Sequence, residues 1–490
     1  MKRDYQEVVA ALDADVAAAL ACRPPERVGT PFTDLNDPAG VDEEADGSSL
    51  PFGSEQELAE RFIASATDKY RWSPGMDWLL NQGTHWERDA MLGRYNLAKE
   101  VCRQAATEAD TAKLATRICS AATVGAMIGL SRSSPAIATP VARWDAEPMI
   151  LNTPGDAIDL ATGRAVPRDS LLFTQVTSVA PKAAPTPLWD KFLSEVFPDD
   201  VQMIEFMQRL MGYSLTGSIR EQKLFFLHGT GANGKSVFLD VLHALGGTYA
   251  YNLPAEALMS SRNSGHPTML ASLRGKRCAI SSEIEEGAHW SEARIKALTG
   301  DETLTARFMR QDFFEFKLTS KHIIAGNYKP RMRGDDFAMV RRLVLVPFEQ
   351  RFEGTRRDNH LTAKLKTELP GILAWAIAGA VKWAAGGLAI PQHVADASQQ
   401  YCAEQNDLEL WLDECCERED QATTSAAVLY ESFRRWKESS GERAPSNKSF
   451  SQRLERIFNR TRTRTERQFK GLRIKAGSGL FDQQSYANES

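Results

Sequence analysis

Gly229-Thr230-Gly231-Ala232-Asn233-Gly234-Lys235-Ser236 is the stretch on which the reading of this chain turns. It matches G-x-x-x-x-G-K-[ST] in full, follows the apolar run Leu224–Leu227 and opens the amphipathic run Ser236–Leu245. Strand, loop and helix therefore come in the order a phosphate-binding loop needs. Glycines let the backbone turn its N–H groups inward around phosphate oxygens, and a helix N-terminus adds a favourable field. Lys235 supplies a mobile positive charge for the outer phosphates, and Ser236 offers a hydroxyl to Mg2+. Gly229, Thr230, Gly231, Ala232, Asn233, Gly234, Lys235 and Ser236 are thus the expected nucleotide-binding residues, with ATP and Mg2+ as cofactors.

Working outward, the segments LFFLHG, GKSVFLDVLHAL, RCAISSE, HIIAGN and RRLVLVPF alternate short apolar strands with helical runs. That alternation predicts an α/β fold, a mainly parallel sheet with helices on both faces. A nucleotide site of this kind also needs a carboxylate from a neighbouring strand, to order the metal's water or polarise the attacking water. Arg277–Glu283 supplies an apolar strand ending in an acid, so Glu283 is the candidate, with Glu285 and Glu286 just beyond. His322–Asn327 is a second buried-type strand, ending in an amide suited to a γ-phosphate or a water. Between the two, Thr303–Lys317 reads as a hairpin turning at Met309–Asp312, in which Arg307, Arg310 and Lys317 stand beside several phenylalanines. Cations interleaved with aromatic rings suit a single nucleic-acid strand. Arg341 and Arg342 precede the last strand; the pair is either a structural ion-pairing element or the source of an arginine finger for an adjacent subunit.

The rest of the chain frames this core. Residues 1–54 read as a short N-terminal helix and a Pro-, Gly- and acid-rich linker, residues 55–186 as an N-terminal unit of short strands and helices, 187–392 as the motor and 393–490 as a basic C-terminal unit. The 490 residues suffice for several cores. Seven cysteines without a CxxC pair or a nearby histidine support neither a zinc ribbon nor a disulfide framework. Leu369–Ile390 is apolar, but Lys382 interrupts it, and Trp375 with Trp383 suits a helix packed on neighbours. A soluble, cytoplasmic protein is expected, with no membrane partner.

Net charge is -5, yet fourteen Lys and Arg against four Glu between Arg434 and Lys475 make that segment strongly basic. Ser446 can cap a helix with Phe450, Leu454, Ile457 and Phe458 on one face, followed by a hairpin, which predicts a winged-helix-like shape. Lys448, Arg453 and Arg456 would then lie on the solvent side of the helix, and Arg460, Arg462 and Arg464 on one strand face, as phosphate contacts.

Taken in order, these segments resemble the superfamily 3 helicases of the AAA+ class, in the poxvirus and phage or plasmid primase-helicase group. The resemblance rests on the phosphate loop, Ser282-Glu283, Thr299-Gly300-Asp301, Asn327 with Pro330, and Arg341-Arg342 before a strand ending Pro347-Phe348. Upstream, Gly83–Asp89, Leu151–Gly163, Pro187-Leu188-Trp189 and Gly212-Tyr213 are similar to the family's helicase-associated domain. The resemblance implies a P-loop AAA+ core, Asn327 as sensor, Arg341 or Arg342 as finger and the Arg307–Lys317 hairpin as the lining of a central channel. It further implies a homo-hexameric ring translocating on single-stranded and forked DNA during mobile-element replication in a bacterial host cytoplasm, beside a separate primase or other replisome proteins. The polar N-terminus is too short for a primase domain, so primase activity is not expected. An ATP-regulated origin-binding initiator and a small-molecule phosphotransferase are the rival expectations.

Overall fold

The computed structural model describes residues 50–260, 267–307, 313–332, 337–404, 407–439, 444–455, 457–462 and 467–475. The expected N-terminal helix, the hairpin turn Met309–Asp312 with Arg310, and Arg456 and Arg464 lie outside the described residues.

Five parallel strands form the central sheet: β1 (Leu224–His228), β2 (Ala250–Asn252), β3 (Cys278–Ser281), β4 (Lys321–Gly326) and β5 (Leu343–Pro347), in the order β5-β1-β4-β3-β2. Their near-continuous apolar runs follow from burial on both faces, as in parallel sheets generally. Phe225 and Leu227 enter one core with Phe238, Val241 and Leu242 of the helix Lys235–Gly246. Leu224 and Phe226 face the other way, onto Trp290 and Leu298. Polar residues break the pattern at the start of β4. Lys321 Nζ donates to the carbonyls of Thr216 and Thr319 and lies 5.3 Å from the Tyr213 ring, while burial drives its pKa far down.

Two helices, Val201–Leu215 and Leu369–Gly386, cross at backbone contact on one face of the sheet. A Cβ on Gly212 would overlap the backbone of Ala380, and one on Gly379 the carbonyl of Gln208, so only glycine allows the approach. Gln208 Nε2 donates to the carbonyl of Trp375 across the same crossing at 3.0 Å. The apolar run around this second helix is long enough to cross a membrane, but 67% of its apolar window is buried in the protein's own core.

Upstream, four helices (Glu55–Ala66, Gly93–Thr107, Ala112–Ile118, Ala121–Ser131) surround a core containing Phe62, Trp78 and Met127, next to the antiparallel strands Tyr70–Ser73, Asp77–Asn81 and Trp86–Arg88. The sequence reads one helix from Thr111 to Ile128; the chain instead bends by 53° between two. Ser120 causes the break, its hydroxyl accepting from Thr123 N at 3.1 Å and so capping a new helix. A small sheet, Ile150–Asn152, Ala157–Asp159 and Arg164–Val166, sends Leu151 and Ile158 into the core of the central sheet. Arg277 clamps it there, donating to the carbonyls of Leu215 at 2.8 Å and Ile150 at 2.7 Å.

At the other end, helices Asp407–Cys415, Ala426–Ser439 and Asn447–Leu454 pack on strands Cys416–Ser425, Arg467–Ile474 and Arg460–Arg462. Trp411, Phe433, Phe450 and Phe469 make a separate core. Helix Gln392–Glu404 precedes this unit and covers β5 at the sheet margin, where Ser398 Oγ accepts from Leu345 N at 2.9 Å.

Candidate nucleotide site and nucleic-acid surfaces

The chain leaves β1 for β2 on one side, while β4 leads to β5 on the other. The carboxyl ends of the adjacent strands β1 and β4 therefore flank a topological switch point, the place where open α/β sheets bind ligands. Gly229–Ser236 lies at this crevice, between β1 and the first turn of helix Lys235–Gly246. Gly231, Ala232 and Gly234 have φ of 102°, 48° and 92°, so the loop turns through the left-handed region three times. A Cβ at Gly229 would overlap Asn233 Nδ2 and the carbonyl of Phe348. The loop is tied from outside as well: Asn233 Nδ2 donates to Phe348 O at 3.1 Å, and Phe352 N to Ala232 O at 2.7 Å.

Lys235 is 5% exposed. Its ammonium spends its three donors on Gly229 O at 2.7 Å, Asn233 Oδ1 at 3.0 Å and Asn327 Oδ1 at 3.2 Å. All three are neutral acceptors; burial without a carboxylate pushes the lysine pKa down to about 8. A cation held by neutral dipoles in a glycine cradle is the donor set a polyphosphate satisfies, since its oxygens restore the missing charge. Asn327, directly after β4, thus meets Lys235 although the two lie far apart in sequence. Ser236 sits exposed on the first helical turn. Glu283 is also exposed, two residues beyond β3, with φ of 64°. These two supply a hydroxyl and a carboxylate of the kind that hold hydrated Mg2+ beside phosphate. His228, the last residue of β1, is half-buried, and burial together with Lys329 and Lys235 lowers its pKa.

Arg341 and Arg342 precede β5 and so stand at the amino end of the sheet, opposite the loop. The structure separates them. Arg342 is 7% exposed and donates to Thr299 Oγ1 at 3.0 Å, whereas Arg341 is exposed. At the same end, strands Thr303–Ala306 and Phe314–Lys317 pair antiparallel ahead of β4. Leu304, Ala306 and Phe316 anchor them in the core, leaving Phe313 60% exposed with the Arg307 guanidinium 4.8 Å from its ring centre. Lys317 is exposed on the same hairpin. A cleft of about 1620 Å³ separates the hairpin from the N-terminal unit, lined by Trp72, Met76, Arg88, Arg274, Phe313 and Lys317 among others.

The C-terminal cations are placed differently from the sequence reading. Lys448 is exposed as expected, but Arg453 turns inward to Asp407 at 2.5 Å, where Lys437 joins at 2.8 Å. Burial works to raise the Asp407 carboxyl, yet the two cations hold it below its ordinary range. Arg460 is paired with Glu455. Arg462 ends the strand Arg460–Arg462. Local acids therefore take up two cations expected at the phosphate-contacting surface, Arg453 at the partly desolvated Asp407 and Arg460 at the exposed Glu455.

Residues 59–198 match the family model described as D5 N terminal like, and residues 227–342 one described as a family of unknown function (DUF5906). Among curated proteins the chain is similar to "Putative helicase L207/L206" of Acanthamoeba polyphaga mimivirus, 27% identical over 270 residues, and to "Putative helicase 022R" of Frog virus 3 (isolate Goorha), 25% identical over 266 residues. These matches agree with the expected likeness to superfamily 3 helicases. Each aligned stretch takes in 50% of this chain but only 28% and 27% of those viral proteins. Of solved structures, the apo A form of the NrS-1 C-terminal region is similar in fold, with a TM-score of 0.50 at 12% identity over 84% of this chain and 98% of that one. The mixed α/β architecture with its parallel sheet agrees with that likeness.

The contacts of Pro330, Trp290 and Tyr401 with one another were not foreseen from the sequence, and neither was the backbone bond of Phe352 to the loop. Pro330 belongs to the motif it shares with Asn327, but nothing in the local sequence marks Trp290, Tyr401 or Phe352, since each acts through a partner distant along the chain.

Proposed function

We propose that this chain is an ATP-hydrolysing DNA helicase with a P-loop AAA+ motor at 187–392, a helicase-associated unit at 55–186 and a winged-helix-like unit at 393–490. The observation that carries the reading is the Lys235 ammonium bridging the glycine loop and Asn327 across the crevice between β1 and β4. In this reading the loop amides and Lys235 bind the triphosphate, and Ser236 and Glu283 hold Mg2+, which supplies charge neutralisation on the phosphates. Asn327 gives up its bond to Lys235 and orients the attacking water, while Glu283 or Glu285 accepts the water's proton.

Arg341 is assigned as the finger. It is exposed at the amino end of β5, about 15 Å from its own loop by strand rise, so it serves the site of the next subunit in a ring. Arg342, bound to Thr299, supports it. The hairpin with Arg307, Phe313 and Lys317 faces the channel and holds one DNA strand by its phosphates and by stacking, independently of base sequence. Such a motor fits replication of a phage, plasmid or related mobile element.

The test is ATP hydrolysis, forked-duplex unwinding and native mass in ATP, for wild type and Lys235→Ala. Wild type is expected to form a ring, hydrolyse ATP faster with single-stranded DNA and open the fork; the variant is expected to do neither reaction. Hydrolysis without strand displacement would favour an initiator, and a phosphorylated small-molecule product would favour a phosphotransferase.

A further inference from the structure

After Asn327 the chain continues as Tyr328-Lys329-Pro330-Arg331, and this short loop is held from a distant helix. The Tyr401 hydroxyl donates to the carbonyl of Pro330 and accepts from Trp290 Nε1 at 2.9 Å. Tyr401 is fully buried and Trp290 is 1% exposed, so water does not compete for either bond. Backbone bonds reinforce the same loop: Trp290 N donates to Arg331 O at 2.9 Å and Arg331 N to Ala288 O at 2.8 Å. Lys329 Nζ lies 5.4 Å from the Tyr401 ring centre.

Tyr401 belongs to Gln392–Glu404, the helix between the motor sheet and the basic C-terminal unit. One turn earlier, Ser398 fastens that helix to β5 through Leu345 N. Shortly beyond it, Asp407 opens the first C-terminal helix and grips Arg453 and Lys437. A chain of polar contacts and backbone thus runs from Lys235 through Asn327, Pro330 and Tyr401 into the C-terminal unit.

We infer that Tyr401 is a positioning residue that couples the Asn327 loop to the basic C-terminal unit, so that the state of the nucleotide site sets how that unit grips nucleic acid. The physical reason is the dryness of the relay. When a phosphate replaces Asn327 as the partner of Lys235, the loop can shift only by abandoning a buried hydrogen bond or by carrying Tyr401 and its helix along. Abandoning it would leave the Pro330 carbonyl and the Tyr401 O–H unpaired in apolar surroundings, so the helix moves. The inference rests on the nucleotide site proposed above.

The test compares wild type, Tyr401→Phe and Ser398→Ala as full chains. It measures ATPase rate with and without a single-stranded oligonucleotide, and hydrogen exchange across 447–475 with and without a non-hydrolysable ATP analogue. Tyr401→Phe is expected to keep its KM for ATP and its DNA-free kcat within about twofold of wild type, to lose stimulation by the oligonucleotide at least about fivefold, and to lose analogue-dependent protection in 447–475. Ser398→Ala weakens the same helix without touching the loop and is expected to keep both responses. Stimulation by DNA that survives Tyr401→Phe, or falls equally in Ser398→Ala, overturns the coupling role. If Tyr401→Phe does not fold, Trp290→Phe removes the other half of the relay and is read by the same criteria. A wild type that hydrolyses no ATP sinks the nucleotide site itself, an outcome distinct from an active wild type whose variants respond normally.

Discussion

The glycine loop and the C-terminal unit both carry prominent cations in the sequence, yet the fold treats them in opposite ways. At the loop, one lysine is buried with neutral acceptors only, and among the described residues no carboxylate pairs with it. In the C-terminal unit the cations are many, but Arg453, Lys437 and Arg460 are matched to Asp407 and Glu455, and Arg473 to Glu417 at 2.6 Å. The difference teaches that convergence on an uncompensated centre marks a binding site better than a count of charges does.

The sharpest way to break this contrast is Lys235→Ala, which is expected to lower ATP turnover by at least about a thousandfold, while a binding assay shows the C-terminal unit still holding DNA at low salt. Next comes Arg341→Ala. Mixed with wild type, it should depress turnover beyond simple dilution, and alone it should lose about a thousandfold in kcat with ATP affinity retained. Arg342→Ala should instead lower the melting temperature, since its side chain is buried against Thr299.

His322, in the strand that carries Asn327, gives a stability effect. Burial holds its pKa at about 4, against an ordinary value near 6.5, so the unfolded chain takes up the proton first. Its contribution is present above about pH 6.5 and is lost as pH falls through about 4, of order 3 kcal/mol in total. Urea titrations of wild type and His322→Gln across that range should show a steeper acid loss in wild type.

The Lys235 pKa near 8 predicts a milder effect on binding. Below that pH the ammonium is charged and KM for ATP should be flat. Above it, binding must recharge the lysine, and KM should climb by up to about tenfold per pH unit. A flat KM to about pH 9.5 would show that the lysine keeps its proton over that range in the free protein.

The smallest effects separate the C-terminal cations from one another. Arg453→Ala leaves Asp407 with one partner fewer and should cost about 1–3 kcal/mol of stability. Lys448→Ala should change stability by less than about 0.5 kcal/mol, yet reduce the salt slope of DNA binding by about one. Equal behaviour of the two in both assays would remove the distinction drawn here between paired and free charge.

Much of the central sheet was legible because its signals are local. Apolar runs buried on both faces announce parallel strands, and Gly231 and Gly234 of the loop occupy positions whose φ values side chains resist. Asn327 was legible as an amide at a strand end and through motif order, but its meeting with Lys235 was not, since that depends on β4 lying beside β1. Arg453 was misjudged because helical periodicity gives a direction but not the acid waiting there: Asp407 comes from another helix. Tyr401 left no trace in its neighbourhood; an aromatic at a buried helical position reads as core packing until its hydroxyl is seen to have partners.

Ser398 has a meaning beyond docking. Along the outward edge of β5, the amide of Leu345 is taken by that serine and position 347 is a proline with no N–H to give. A margin so stripped of donors offers little template for strand addition, the usual first step toward fibrils, and helix Gln392–Glu404 stands across it as a guard.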